Sequence, residues 1–105
     1  MREIVDLRGG SGRTYRFRLW PEGAAHTPMA GNYVVLREEP AGFTVVLAGT
    51  SEDLSGARTK WRKAARDQSS THVFTRLNVS RAVRVAEHDD LVAHYRPKVS
   101  SEAEA

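Results

Sequence analysis

From Thr14 to Leu19 the chain alternates polar and large apolar side chains at every step, and Trp20 closes the run. Tyr15, Phe17 and Leu19 share one face, with Thr14, Arg16 and Arg18 on the other. A period of two is that of a strand whose sheet has one buried side and one wet side. Such a strand needs partners and a covering layer. A chain of 105 residues, 40% hydrophobic, has material for one core and one domain. Ile4 to Leu7 supplies a partner strand, joined through Arg8-Gly9-Gly10-Ser11-Gly12-Arg13. That glycine-rich connection serves as a plain turn or as a nest of backbone amides for a phosphate.

Residues 21 to 30, with two prolines, a glycine and three alanines, read as a loop. Strands follow over Asn32 to Arg37 and Phe43 to Ala48. The second is nearly unbroken apolar and β-branched, as an interior strand covered on both faces should be. Thr50 or Ser51 is placed to cap a helix, with Glu52 and Asp53 at its positive end. Leu54, Ala57, Trp61 and Ala64 recur at helical spacing within it. A Gly56 inside that helix costs about 1 kcal/mol relative to alanine. His72 to Leu77 reads as a further strand. Ser80 caps a last helix from Arg81 to Tyr95, stopped by Pro97. The expected fold is α+β: a small mixed or antiparallel sheet flanked by two main helices. Residues 1–99 form the domain, with 1–29 an N-terminal hairpin and loop, 30–99 the core, and 100–105 a disordered tail.

Composition narrows the function classes. The chain has no cysteine, which excludes disulfides, a thiolate nucleophile and zinc–thiolate sites. No apolar run is long enough to span a membrane, and acidic residues occupy the start where a signal peptide would be apolar. A cytoplasmic protein is expected. The net charge of +3 is compatible with a nucleic-acid partner.

Gly31-Asn32-Tyr33, followed by Leu47-Ala48-Gly49-Thr50 and Glu52-Asp53-Leu54, resembles the two-strand opening of the GIY-YIG nuclease domain and the helix start after it. Asp90-Leu91-Val92 with Pro97 is similar to the family's closing helix. The resemblance covers roughly residues 30 to 100, and the first 29 residues are an extension to it. It implies catalysis by tyrosines that activate water, an arginine that contacts the scissile phosphate and a helix glutamate that holds Mg²⁺ or Mn²⁺. Tyr33 stands at the first tyrosine, and Leu47 replaces the second. Arg58 lies one residue beyond the arginine position, and Glu87 lies next to the glutamate position, which is occupied by His88. One residue on a helix is about 100° of rotation. The implied catalytic set is therefore Tyr33, Arg58, Glu87 and His88, with Glu87 and His88 the metal ligands.

Each of these residues also has a structural reading. A strand tyrosine packs in cores, and His88 shares a helical face with Val85, Val92 and Tyr95. Asp90 and His94, four apart on a helix, suit an ion pair as well as a metal. Arg58, Arg62 and Arg66 form a stripe flanked by Lys60 and Lys63. With Arg16 and Arg18 they track a phosphate backbone or simply face solvent. The function expected is a GIY-YIG-like nucleic-acid-binding domain with a degenerate nuclease site. The alternatives are an active Mg²⁺- or Mn²⁺-dependent DNA endonuclease with rearranged residues, and a protein-interaction module that uses the hairpin edge.

Overall fold

A computed structural model describes residues 3–21, 24–56, 71–97 and 99–100. Its strands are β1 (Ile4–Arg8), β2 (Thr14–Trp20), β3 (Gly31–Glu39), β4 (Gly42–Ser51), β5 (Thr71–Leu77) and β6 (Val99–Ser100). A 3₁₀ turn spans Leu54–Gly56, and one helix, α1, spans Arg81–Tyr95. The six strands form one sheet in the order β1-β2-β5-β3-β4-β6. All neighbours are antiparallel except β4 and β6.

The sheet curls as a half-barrel around α1, which touches β1 near one edge as well as β3 and β4 toward the other. Its inner face carries Leu7, Phe17, Val34, Leu36, Ala48 and Phe74, and these enclose Leu91 of α1. The outer face has its own cluster of Trp20, Tyr33, Val35, Val46, Leu47, Leu54 and Val73. The wet side foreseen for β2 is real. Tyr15 and Phe17 are buried, while Thr14, Arg16 and Arg18 are exposed.

The expectation of two main helices beside a small sheet is corrected: the described residues hold one helix and an extensive, mostly antiparallel sheet. The reason is local. β4 does not stop at Ala48 but keeps pairing with β3 through Thr50↔Asn32 and Ser51↔Gly31. The two residues foreseen as helix caps are therefore the end of a strand. Ser51 Oγ accepts from the amide of Asp53 at 3.1 Å, and Asp53 Oδ1 accepts from the amide of Ser55 at 2.9 Å. Both caps serve the short 3₁₀ turn. Ala57, Trp61 and Ala64 of the foreseen buried stripe lie outside the described residues.

A bulge separates Val35↔Leu47 from Leu36↔Val45 and leaves Val46 as the extra residue. It reconciles the unbroken apolar run of β4 with sheet geometry, since Val45 faces α1 while Val46 and Leu47 both join the outer cluster. The last helix matches its expected bounds. Ser80 accepts from the Val83 amide, and Arg96 closes the helix in the left-handed conformation with its amide on the Val92 carbonyl. Ser100, placed by the sequence at the start of the tail, pairs with Ala48.

Candidate functional site

The motif residues are held by packing. Tyr33 is fully buried in the outer cluster, its ring lying across Gly49, the residue directly opposite in β4. A Cβ at Gly49 would sit 2.5 Å from the Tyr33 hydroxyl and ring carbon Cζ. At Gly31 it would sit 2.2 Å from the Arg76 carbonyl oxygen. Both motif glycines thus mark close approaches.

Asn32, one residue before Tyr33, sends its amide to the Arg84 carbonyl of α1 at 2.9 Å. By the alternation of a strand, Tyr33 points away from α1. The sheet therefore stands between Tyr33 and the pair Glu87 and His88, and the three are not brought together. Glu87 Oε1 accepts from Arg76 Nε at 2.8 Å and from Asn78 Nδ2 at 3.0 Å. Asn78 also donates to Asn32 Oδ1, and Arg84 donates to the Val79 carbonyl at 2.7 Å. This network joins α1 to the ends of β3 and β5. His88 is buried, with Nε2 3.4 Å from the Ala48 carbonyl and Nδ1 3.3 Å from Asp89. Among the described residues no group of three or more His, Asp or Glu is placed to hold a metal ion. Arg58, Lys60, Arg62, Lys63 and Arg66 lie outside the described residues.

Asp90 and the glycine-rich connection account for each other. Asp90 Oδ1 accepts from the Ser11 amide at 2.8 Å, and Oδ2 accepts from the hydroxyls of Ser11 at 2.6 Å and Tyr15 at 2.7 Å. The Gly10 amide donates to the Asp90 carbonyl at 2.9 Å, and Gly9 and Gly12 donate to Arg13 and Gly9 carbonyls. The amides of this connection are thus engaged within the chain, as in a plain turn rather than a phosphate nest. These bonds, led by that from the Ser11 hydroxyl, lower the Asp90 pKa. Burial, followed by the Asp90 hydrogen bond, raises that of Tyr15. Asp90 bonds Ser11 and Tyr15 rather than His94, and Tyr95 accepts from the Arg8 amide at 3.0 Å.

The basic feature that the described residues present is a cleft of about 530 Å³ on the outer face. Arg16, Arg18 and Trp20 of β2, His26 of the connection after β2, and Thr75 and Arg76 of β5 line it. Arg16 is paired with Asp6 at 2.9 Å, which lowers the Asp6 pKa, and both side chains stay half exposed. Arg18 has no hydrogen bond or ion pair among the described residues. His26 and Thr75 carry no signal in the sequence. Their meeting depends on β2 pairing with β5 across 50 intervening residues (Trp20 to Thr71).

No family model, curated protein or solved structure matches the chain. Among the described residues no helix is long and apolar enough to cross a membrane.

Proposed function

We propose that the chain is a nucleic-acid-binding domain that holds the phosphate backbone through its basic outer face and does not cut it. The observation that carries this reading is Arg18. Its guanidinium is exposed and unpaired among the described residues, inside a cleft that Arg16 and Arg76 also line. Guanidinium groups match phosphate oxygens in geometry and charge. An arginine with no partner among the described residues, in a concave basic site, is available to an anion.

The resemblance to GIY-YIG domains is kept as a proposal about ancestry. In its favour is the element order of a hairpin opening on Gly31-Asn32-Tyr33, a later strand and a closing helix before Pro97. Against turnover stand three features. Tyr33 is sealed in a core, Leu47 has no proton to move, and Glu87 is engaged by Arg76 and Asn78.

The test is retention and cleavage of labelled single-stranded, duplex and branched DNA, and of RNA, with Mg²⁺ or Mn²⁺ and with a chelator. Salt-sensitive retention without cutting is expected. Cutting that disappears both with chelator and in Tyr33→Phe would overturn the reading in favour of an active nuclease. Absence of retention would overturn it outright.

A further inference from the structure

In the cleft two polar side chains meet, opposite the register position of Arg18. Thr75 is 8% exposed, and its hydroxyl lies 2.8 Å from His26 Nε2. His26 Nδ1 lies 2.9 Å from the Thr27 carbonyl, which can only accept, so Nδ1 carries the hydrogen. In the neutral ring Nε2 is then the acceptor, and the Thr75 hydroxyl donates to it. The Trp20 ring, centred 4.5 Å away, fixes the plane of the imidazole. Arg18 is the register partner of Thr75 across β2 and β5. Side chains directly opposite in an antiparallel pair stand about 5 Å apart at Cβ. Tethering the connection to the sheet accounts for the bond between His26 and Thr75. It does not account for Arg18, which is opposite Thr75, lines the same cleft and is unpaired among the described residues.

We infer that Arg18, Thr75 and His26 seat the terminal phosphomonoester of a nucleic-acid strand, an inference that rests on the nucleic-acid reading above. The cleft, about 530 Å³, has the volume of a small-molecule site. A terminal monoester carries more negative charge than an internal diester and offers three free oxygens. Arg18 donates to those oxygens directly. Thr75 does so when its hydroxyl hydrogen turns from His26 Nε2 to a phosphate oxygen.

The charges around the cleft suit an anion. Arg16 and Arg18 line it from β2, and Arg76 lines it from β5. Asp6 of β1 is engaged by Arg16, and Glu87 of α1 is engaged by Arg76. Among the described residues the charged groups that line the cleft are cationic.

The experiment compares oligonucleotides of one sequence ending in a 5′-phosphate, a 3′-phosphate or hydroxyls only, by fluorescence anisotropy at fixed salt. One phosphorylated end is expected to bind about tenfold tighter than the hydroxyl-ended strand. The preference should vanish in Thr75→Val and His26→Gln. Equal affinity for all ends, or a preference that survives Thr75→Val, overturns the inference. Should no oligonucleotide bind at all, titration with a nucleoside monophosphate decides separately, followed by amide resonances. Shifts at Thr75 and His26, absent for the nucleoside, support the seat. No shift overturns it.

Discussion

At the scale of single residues, the side chains that made the sequence resemble a nuclease are explained by contacts inside the fold. Gly49 is needed because the Tyr33 ring lies on it. Gly49→Ala must displace a fully buried ring, and overpacking of this kind costs about 1–3 kcal/mol. Urea unfolding of the variant checks this. Glu87 holds Arg76 and Asn78 at the junction of α1 with the sheet. Glu87→Ala strands both donors and should destabilise by about 1–3 kcal/mol, whatever metal is supplied. A metal-dependent loss of stability would instead point to a ligand role. Tyr33, Arg18 and Glu87 were all legible in the sequence as residues to watch. Their surroundings were not, because each depends on the alternate face of a strand or on a neighbour distant in the chain.

At the scale of elements, strong local signals held and a weaker one failed. β2, with its clean alternation, and α1, with Ser80 before it and Pro97 after it, stand where the pattern set them. The helix expected after Thr50 rested on capping residues and spacing. Its expected start lost to strand pairing, since Thr50 and Ser51 had β3 residues waiting opposite, and residues 57 to 70 lie outside the described residues. α1 is secured by Leu91, 2% exposed and wrapped by the inner face. Leu91→Ala should cost about 2–5 kcal/mol in thermal or chemical unfolding. The clasp of Asp90 on Ser11 and Tyr15 ties α1 to the β1–β2 turn. The folded-state pKa of Asp90 is lowered, so its contribution is present above the unfolded value and lost as pH falls through the folded one. Asp90→Asn should therefore destabilise at neutral pH, and the difference from the unmodified protein should shrink on acidification below the ordinary carboxylate range. Tyr15, raised in the fold, adds the opposite edge: its contribution is lost as pH rises past the phenol range. Unfolding midpoints across pH measure both.

At the scale of the whole molecule, the half-barrel has a helix-filled inner face and an outer face on which exposed arginines border a cleft. The net charge of +3 gives a weak general attraction to polyanions, and the cleft gives it a place. The β2–β5 pairing assembles that place, which is why a reading by sequence neighbours found Arg16 and Arg18 but not His26, Thr75 or Arg76. The most direct measurement is the salt dependence of duplex and single-strand binding by the full chain and by Arg18→Ala. The account predicts that log affinity falls linearly with log salt. It also predicts that the variant binds more weakly, with a slope shallower by about 1, because one phosphate is no longer neutralised. Identical affinity and slope in the two proteins would contradict it.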